Sequence, residues 1–130
     1  MDEQRTLNEL DPPAWPPPSS DDYSNLERRC NELRRTPLAD FDVEDLRIMI
    51  GQQISLQHLI PRAITTLQAN PLAEGDCYPG DLLQAVLKAD KTYWHANVEQ
   101  WQDVEAIGRR LVAAVEELRD SVEAFRTNTF

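Results

Sequence analysis

The sequence predicts an all-α protein: a single compact helical domain of about five helices, preceded by a proline-rich N-terminal arm. Three observations predict it. Apolar residues recur at spacings of three and four through most of the chain after residue 22. No stretch shows the sustained two-residue alternation of Val, Ile, Thr and aromatics that marks a half-buried strand. A chain of 130 residues with 41% apolar content is enough for one core.

Residues 1–22 form the arm, and residues 23–130 the helical domain. The arm's segment DPPAWPPPSSDD carries five of the nine prolines, which remove backbone donors and hold an extended path, so it is not a helix. Trp15 sits between stiff prolines, loses little entropy on docking, and is expected to anchor the arm to the domain. Tyr23, Leu26, Cys30 and Leu33 then line one face of a first helix, with Asp21 or Asp22 as its cap and Thr36-Pro37 as its end. Asp42 and Asp45 form a capping arrangement for a second helix, which presents Val43, Leu46, Met49 and Ile50 and weakens at Gly51. Leu56, Leu59, Ile60, Ala63, Ile64 and Leu67 make a full helical stripe; Pro61 inside it requires a kink or a true start near Pro61. Asn70-Pro71 closes that helix. The loop NPLAEGDCYPGD follows, and Asp81 caps a short helix through Leu82, Leu83, Val86 and Leu87. Apolar residues spaced by three or four from Val98 to Phe125 predict one long terminal helix, with Gly108 as a possible bend. There is no internal repeat.

Charge narrows the partners. The chain has 23 Asp and Glu against 13 Lys and Arg, a formal charge of −10. Such a field repels nucleic acids and anionic membranes and draws in basic protein surfaces. No apolar run approaches the roughly 18 residues needed to cross a bilayer. MDEQRTLNEL lacks the basic and apolar regions of a secretory signal, so the expected location is the cytoplasm, with Cys30 and Cys77 as free thiols.

Catalytic motifs are missing: HEXXH, GXSXG, CXXC and phosphate-loop patterns do not occur. His58 and His95 have no companions at ligand spacing, so no metal and no cofactor is expected. Arg28, Arg29, Arg34 and Arg35 suggest a phosphate strip, but Glu27 and Glu32 are interleaved with them, which favours a solvated, salt-bridged face. Two acidic groups stand out. Asp40, Asp42, Glu44 and Asp45 gather at a helix start, and Glu74, Asp76 and Asp81 lie in or beside a glycine- and proline-containing loop. Carboxylates so grouped can grip a cationic surface through charge-assisted hydrogen bonds, or serve only as caps and solvated loops.

The segments LNELDPPAW, VEDLRIMIGQQI, LIPRAITTL and NPLAEGDCYPGDLLQAVL occur in that order between Leu7 and Leu87. Together they resemble the contact-dependent growth inhibition (CDI) immunity proteins of the CdiI type, over roughly residues 7 to 90. The resemblance implies a non-enzymatic protein that binds a cognate CDI toxin C-terminal domain 1:1 and covers its active site. It further implies a toxin that is a nuclease, and relatives of this group are associated with a ribonuclease resembling the pancreatic type. An acidic inhibitor suits a basic nuclease cleft. The toxin-binding residues so assigned are Asp42, Glu44, Asp45, Glu74, Asp76, Asp81 and Trp94. The alternatives are a small acidic metal-dependent hydrolase, which a metal would stabilise against heat, and a self-associating coiled-coil adaptor built on residues 98 to 125.

Overall fold

The computed structural model describes residues 2–17 and 24–129. Among these the protein is all-α, with seven α-helices: α1 (Leu7–Leu10), α2 (Asn25–Leu33), α3 (Val43–Gly51), α4 (Leu56–Ala69), α5 (Asp81–Leu87), α6 (Lys91–Ala96) and α7 (Val98–Thr129). Single 3-10 turns occupy Asp2–Gln4 and Leu38–Asp40, and the one β-type pairing among the described residues is an isolated bridge between Glu74 and Pro79.

The core is built around α4, whose periodic stripe buries Leu59, Ile60, Ala63 and Leu67 completely. Met49 and Ile50 of α3, Leu82 and Val86 of α5, Leu33 of α2, and Val104 and Ile107 of α7 close over it. Burying a side chain of this size contributes roughly 1.5–3 kcal/mol, so this cluster dominates the stability. The helix starts at Leu56 and runs through Pro61, rather than starting near it. Pro61 falls in its second turn and forfeits the one hydrogen bond its missing N–H would have given to Gln57, while the apolar face holds the helix together.

The chain turns into α4 through two left-handed non-glycine residues, Gln53 (φ 60°) and Ser55 (φ 51°). Such backbone costs on the order of 1 kcal/mol per residue and persists where the surroundings hold it. Here both side chains are occupied. The Gln53 amide donates to the Lys88 carbonyl and accepts from the Asp90 N–H, tying this corner to the α5–α6 corner. Ser55 leaves α4 without a side-chain cap and donates instead to Asp11 Oδ2 at 2.6 Å.

Several local expectations need correction. Asp21, Asp22 and Tyr23 lie outside the described residues, and the cap of α2 is Ser24, whose Oγ accepts from the Glu27 N–H. Asp81 is not the cap of α5: Gly80 is, at φ 88°, where a side chain would be strained. Leu26 and Leu87, assigned to apolar faces, are 43% and 53% exposed. Helix α6 begins at Lys91, capped by the Asp90 side chain, in a stretch where sequence periodicity showed no helix. The Arg28–Arg35 group is not wholly a solvated face either. Arg34 is 3% exposed, donates to Asn8 Oδ1 and to the Asp11 and Pro13 carbonyls, and lies 4.8 Å from the Trp15 ring centre. With Leu7 fully buried, these bonds hold residues 7–15 against the helices.

Candidate functional site

Asp81 organises the loop between α4 and α5. It is the first residue of α5 and is 3% exposed. The Gly75 N–H donates to its Oδ1 at 2.7 Å, and the Cys77 and Tyr78 N–H groups donate to Oδ2 at 3.0 and 3.3 Å. The Arg47 guanidinium stands 3.7 Å away. Burial pushes this carboxyl up, but the three backbone donors and Arg47 outweigh it and hold the group below the usual aspartate range. The side chain therefore caps the loop, not the helix.

Glu44 completes the junction from the other side. Arg47, one turn further along α3, donates to both of its oxygens at 2.6 Å, and the Asp76 N–H donates to Oε1 at 2.9 Å. The Arg47 hydrogen bonds lower the Glu44 carboxyl, and Glu44 in turn raises the Arg47 guanidinium. Space at the junction is tight: a Cβ on Gly75 would come within 2.5 Å of Glu44 Oε1 and 3.2 Å of the Glu44 backbone. Glycine is what lets the loop lie against α3.

The Asp42–Asp45 capping box of α3 is present in full, each side chain accepting from the other residue's backbone N–H. Asp45 is buried and also accepts from Arg29 at 2.7 Å. Desolvation lowers the Arg29 guanidinium, but its bond to Asp45 wins and raises it.

The two acidic groups seen in the sequence are thus joined, 32 residues apart, by the Asp76–Glu44 hydrogen bond. Of their members, Glu44, Asp45 and Asp81 direct their carboxylates into the protein. Asp42, Glu74 and Asp76 remain exposed, Tyr78 is half-exposed, and among the described residues no basic side chain pairs with these three carboxylates. Trp94 lies elsewhere, at the α6–α7 junction. It is buried edge-on to Tyr93, at 5.3 Å between ring centres, and it lines a cleft of about 340 Å³ with Lys91, His95, Val98 and Trp101. Trp101 is the exposed tryptophan of that cleft. Arg47, which neutralises the inner carboxylates, was not singled out in the sequence; its spacing of three from Glu44 is the signal for it.

No group of three or more His, Cys, Asp or Glu side chains among the described residues could hold a metal ion, and no helix there is long and apolar enough to cross a membrane. Cys30 is free and buried, which raises its thiol, and Cys77 is free and exposed. Fold and site thus define an all-helical protein with an acidic, internally braced face. A family model described as CDI immunity proteins matches residues 9–104, and the chain belongs to that family. Its class of function is accordingly the neutralisation of a CDI toxin, its partner is a cognate toxin of that kind, and proteins of this family are generally not enzymes. No curated protein and no solved structure matches the chain.

Proposed function

We propose that this protein neutralises its toxin in the cytoplasm by laying the face formed by the α3 start and the 74–80 loop over a basic active-site cleft, one toxin domain per immunity chain. The observation that carries this reading is the division of labour among the carboxylates. Glu44 and Asp81, both held charged, brace the loop with Arg47, while Asp42, Glu74 and Asp76 are exposed and paired with no basic side chain among the described residues. Outward carboxylates on a rigid frame mimic the phosphates that a nuclease cleft attracts, and the charge of −10 speeds the encounter. A nuclease, including a ribonuclease of the pancreatic kind, is the toxin chemistry this face suits best. In this reading Glu44, Asp45 and Asp81 position the contact residues, and Trp94 supports a second, apolar contact through its cleft.

The test is co-expression with the toxin domain encoded beside it, followed by affinity and growth measurements. The triple variant Asp42→Asn, Glu74→Lys, Asp76→Lys keeps the α3 cap, since Asn caps as well as Asp. It should fold normally, associate about tenfold or more slowly at low salt, and lose most of the salt dependence of association. Unchanged affinity and salt response would remove this face from the interface. Continued killing by the toxin with the native chain present would refute neutralisation for that pair.

A further inference from the structure

Helix α7 outruns the domain it belongs to. Val104 and Ile107 are buried in the core, but from residue 112 to 129 every residue is exposed. Leu118 and Phe125 are 64% and 69% exposed. A solvated helix of that length is marginal in water without packing on an apolar face. The family match also stops at residue 104, so this extension lies beyond it.

The apolar stripe is ordered, running from partly buried Gly108 and Leu111, the latter still packed against the domain core, to exposed Val115, Leu118, Val122 and Phe125. Gly108, Leu111, Val115, Leu118, Val122 and Phe125 follow one another at spacings of 3, 4, 3, 4 and 3, which is the seven-residue repeat of a coiled-coil seam. The seam is self-complementary when read backwards. Set antiparallel against itself, it places Phe125 opposite Gly108, Leu111 opposite Val122, and Val115 opposite Leu118. The largest side chain then meets the smallest, and a Cβ added at Gly108 has nothing within 4 Å, so that space is open. A parallel pairing would stack glycine on glycine and phenylalanine on phenylalanine, leaving a gap in one layer and crowding in another.

Charge agrees with the antiparallel register. Glu105 and Arg109 lie 3.3 Å apart near one end of the segment, and Glu123 and Arg126 lie 4.0 Å apart near the other. The antiparallel register brings Glu105 toward Arg126 of the second copy, at the positions that flank the seam, with opposite signs facing. In the parallel register Arg119 and Arg126 would face the uncharged Ala114 and Ser121. Residues 105–129 hold four arginines and five carboxylates, so the seam carries −1 of the chain's −10 and two copies meet there without the repulsion of the rest.

We infer that residues 108–126 of α7 are a dimerisation element, pairing antiparallel with a second copy of this chain and leaving both acidic faces open. Toxin and immunity chains then assemble two and two.

Analytical ultracentrifugation of the full chain tests this, together with directed cross-linking in a Cys77→Ser background. The native chain should sediment as a dimer. Leu118→Glu, which places a charge at the central layer, should weaken dimerisation by about 100-fold without altering the melting of the domain. Asp120→Asn, on the opposite side of the helix, should leave the dimer unchanged. Under oxidation the Gly108→Cys/Phe125→Cys protein should form an intermolecular disulfide, and Phe125→Cys alone should not. A monomer at every concentration overturns the inference, as does rapid cross-linking of Phe125→Cys alone. So does a monomeric chain whose Leu118→Glu variant loses toxin binding, because the stripe would then belong to the toxin. The acidic-face variant tests the other interface separately, and neither result depends on the other.

Discussion

Replacing Asp81 by Asn changes one atom type and tests whether this carboxylate is a scaffold group or a surface contact. The carboxylate accepts three backbone N–H bonds and faces Arg47. An asparagine keeps one acceptor oxygen and turns the other position into a donor. If the amide nitrogen takes the Oδ2 position, it points at the Cys77 and Tyr78 N–H groups and at Arg47; if it takes the Oδ1 position, it points at the Gly75 N–H. Either way at least one charge-assisted bond, worth about 1.5–3 kcal/mol, is replaced by donor against donor. With the side chain 2% exposed, water does little to soften the loss. The expected destabilisation is about 3 kcal/mol, or a melting point lower by roughly 10 °C for a domain of this size. Differential scanning calorimetry of Asp81→Asn beside Asp76→Asn is the assay. The second change alters the same net charge on an exposed side chain and should stay within about 0.5 kcal/mol of native. If Asp81→Asn melts within about 2 °C of the native chain, the loop is not held by this carboxylate and the scaffold argument fails.

Arg34→Lys should destabilise the protein by about 2–4 kcal/mol in urea titration, because an ammonium cannot reproduce the guanidinium's fork to Asn8, Asp11 and Pro13 or its stacking on Trp15. Trp15 fluorescence should shift to the red as the ring loses its cover, and an unshifted spectrum with native stability would contradict this. Acid should also loosen the acidic face. Glu44 and Asp81 both titrate below their unfolded values, so the stability they contribute is complete above about pH 4–5 and is lost as pH falls through the lowered folded values. The melting point should therefore be flat from pH 7 to about 5 and drop below 4, and Glu44→Gln should make that drop shallower. A drop of native size in that variant would rule out the Glu44 contribution.

Sequence alone determined what depends on neighbours in the chain. The Asp42–Asp45 capping box, the α4 stripe and the single long α7 were legible because caps and 3.6-residue periodicity act within one or two turns. Helices α1 and α6 were not, because four and six residues are too short to show a period, and each is held by partners outside itself. Asp81 was misread for a related reason. An aspartate after glycine at a helix start has the local form of a cap, whereas its partners are loop amides three to six residues upstream that only the folded loop presents. Tertiary structure also decided which acidic residues face outward, by supplying Arg47 and Arg29 to the inner ones, and it turned Arg34 from a surface charge into the buried clasp of residues 7–15. The stripe on α7 shows where the two levels part. Periodicity states that a helix has an apolar face, but only the tertiary structure shows that the domain stops near Leu111 and leaves the rest of that face uncovered.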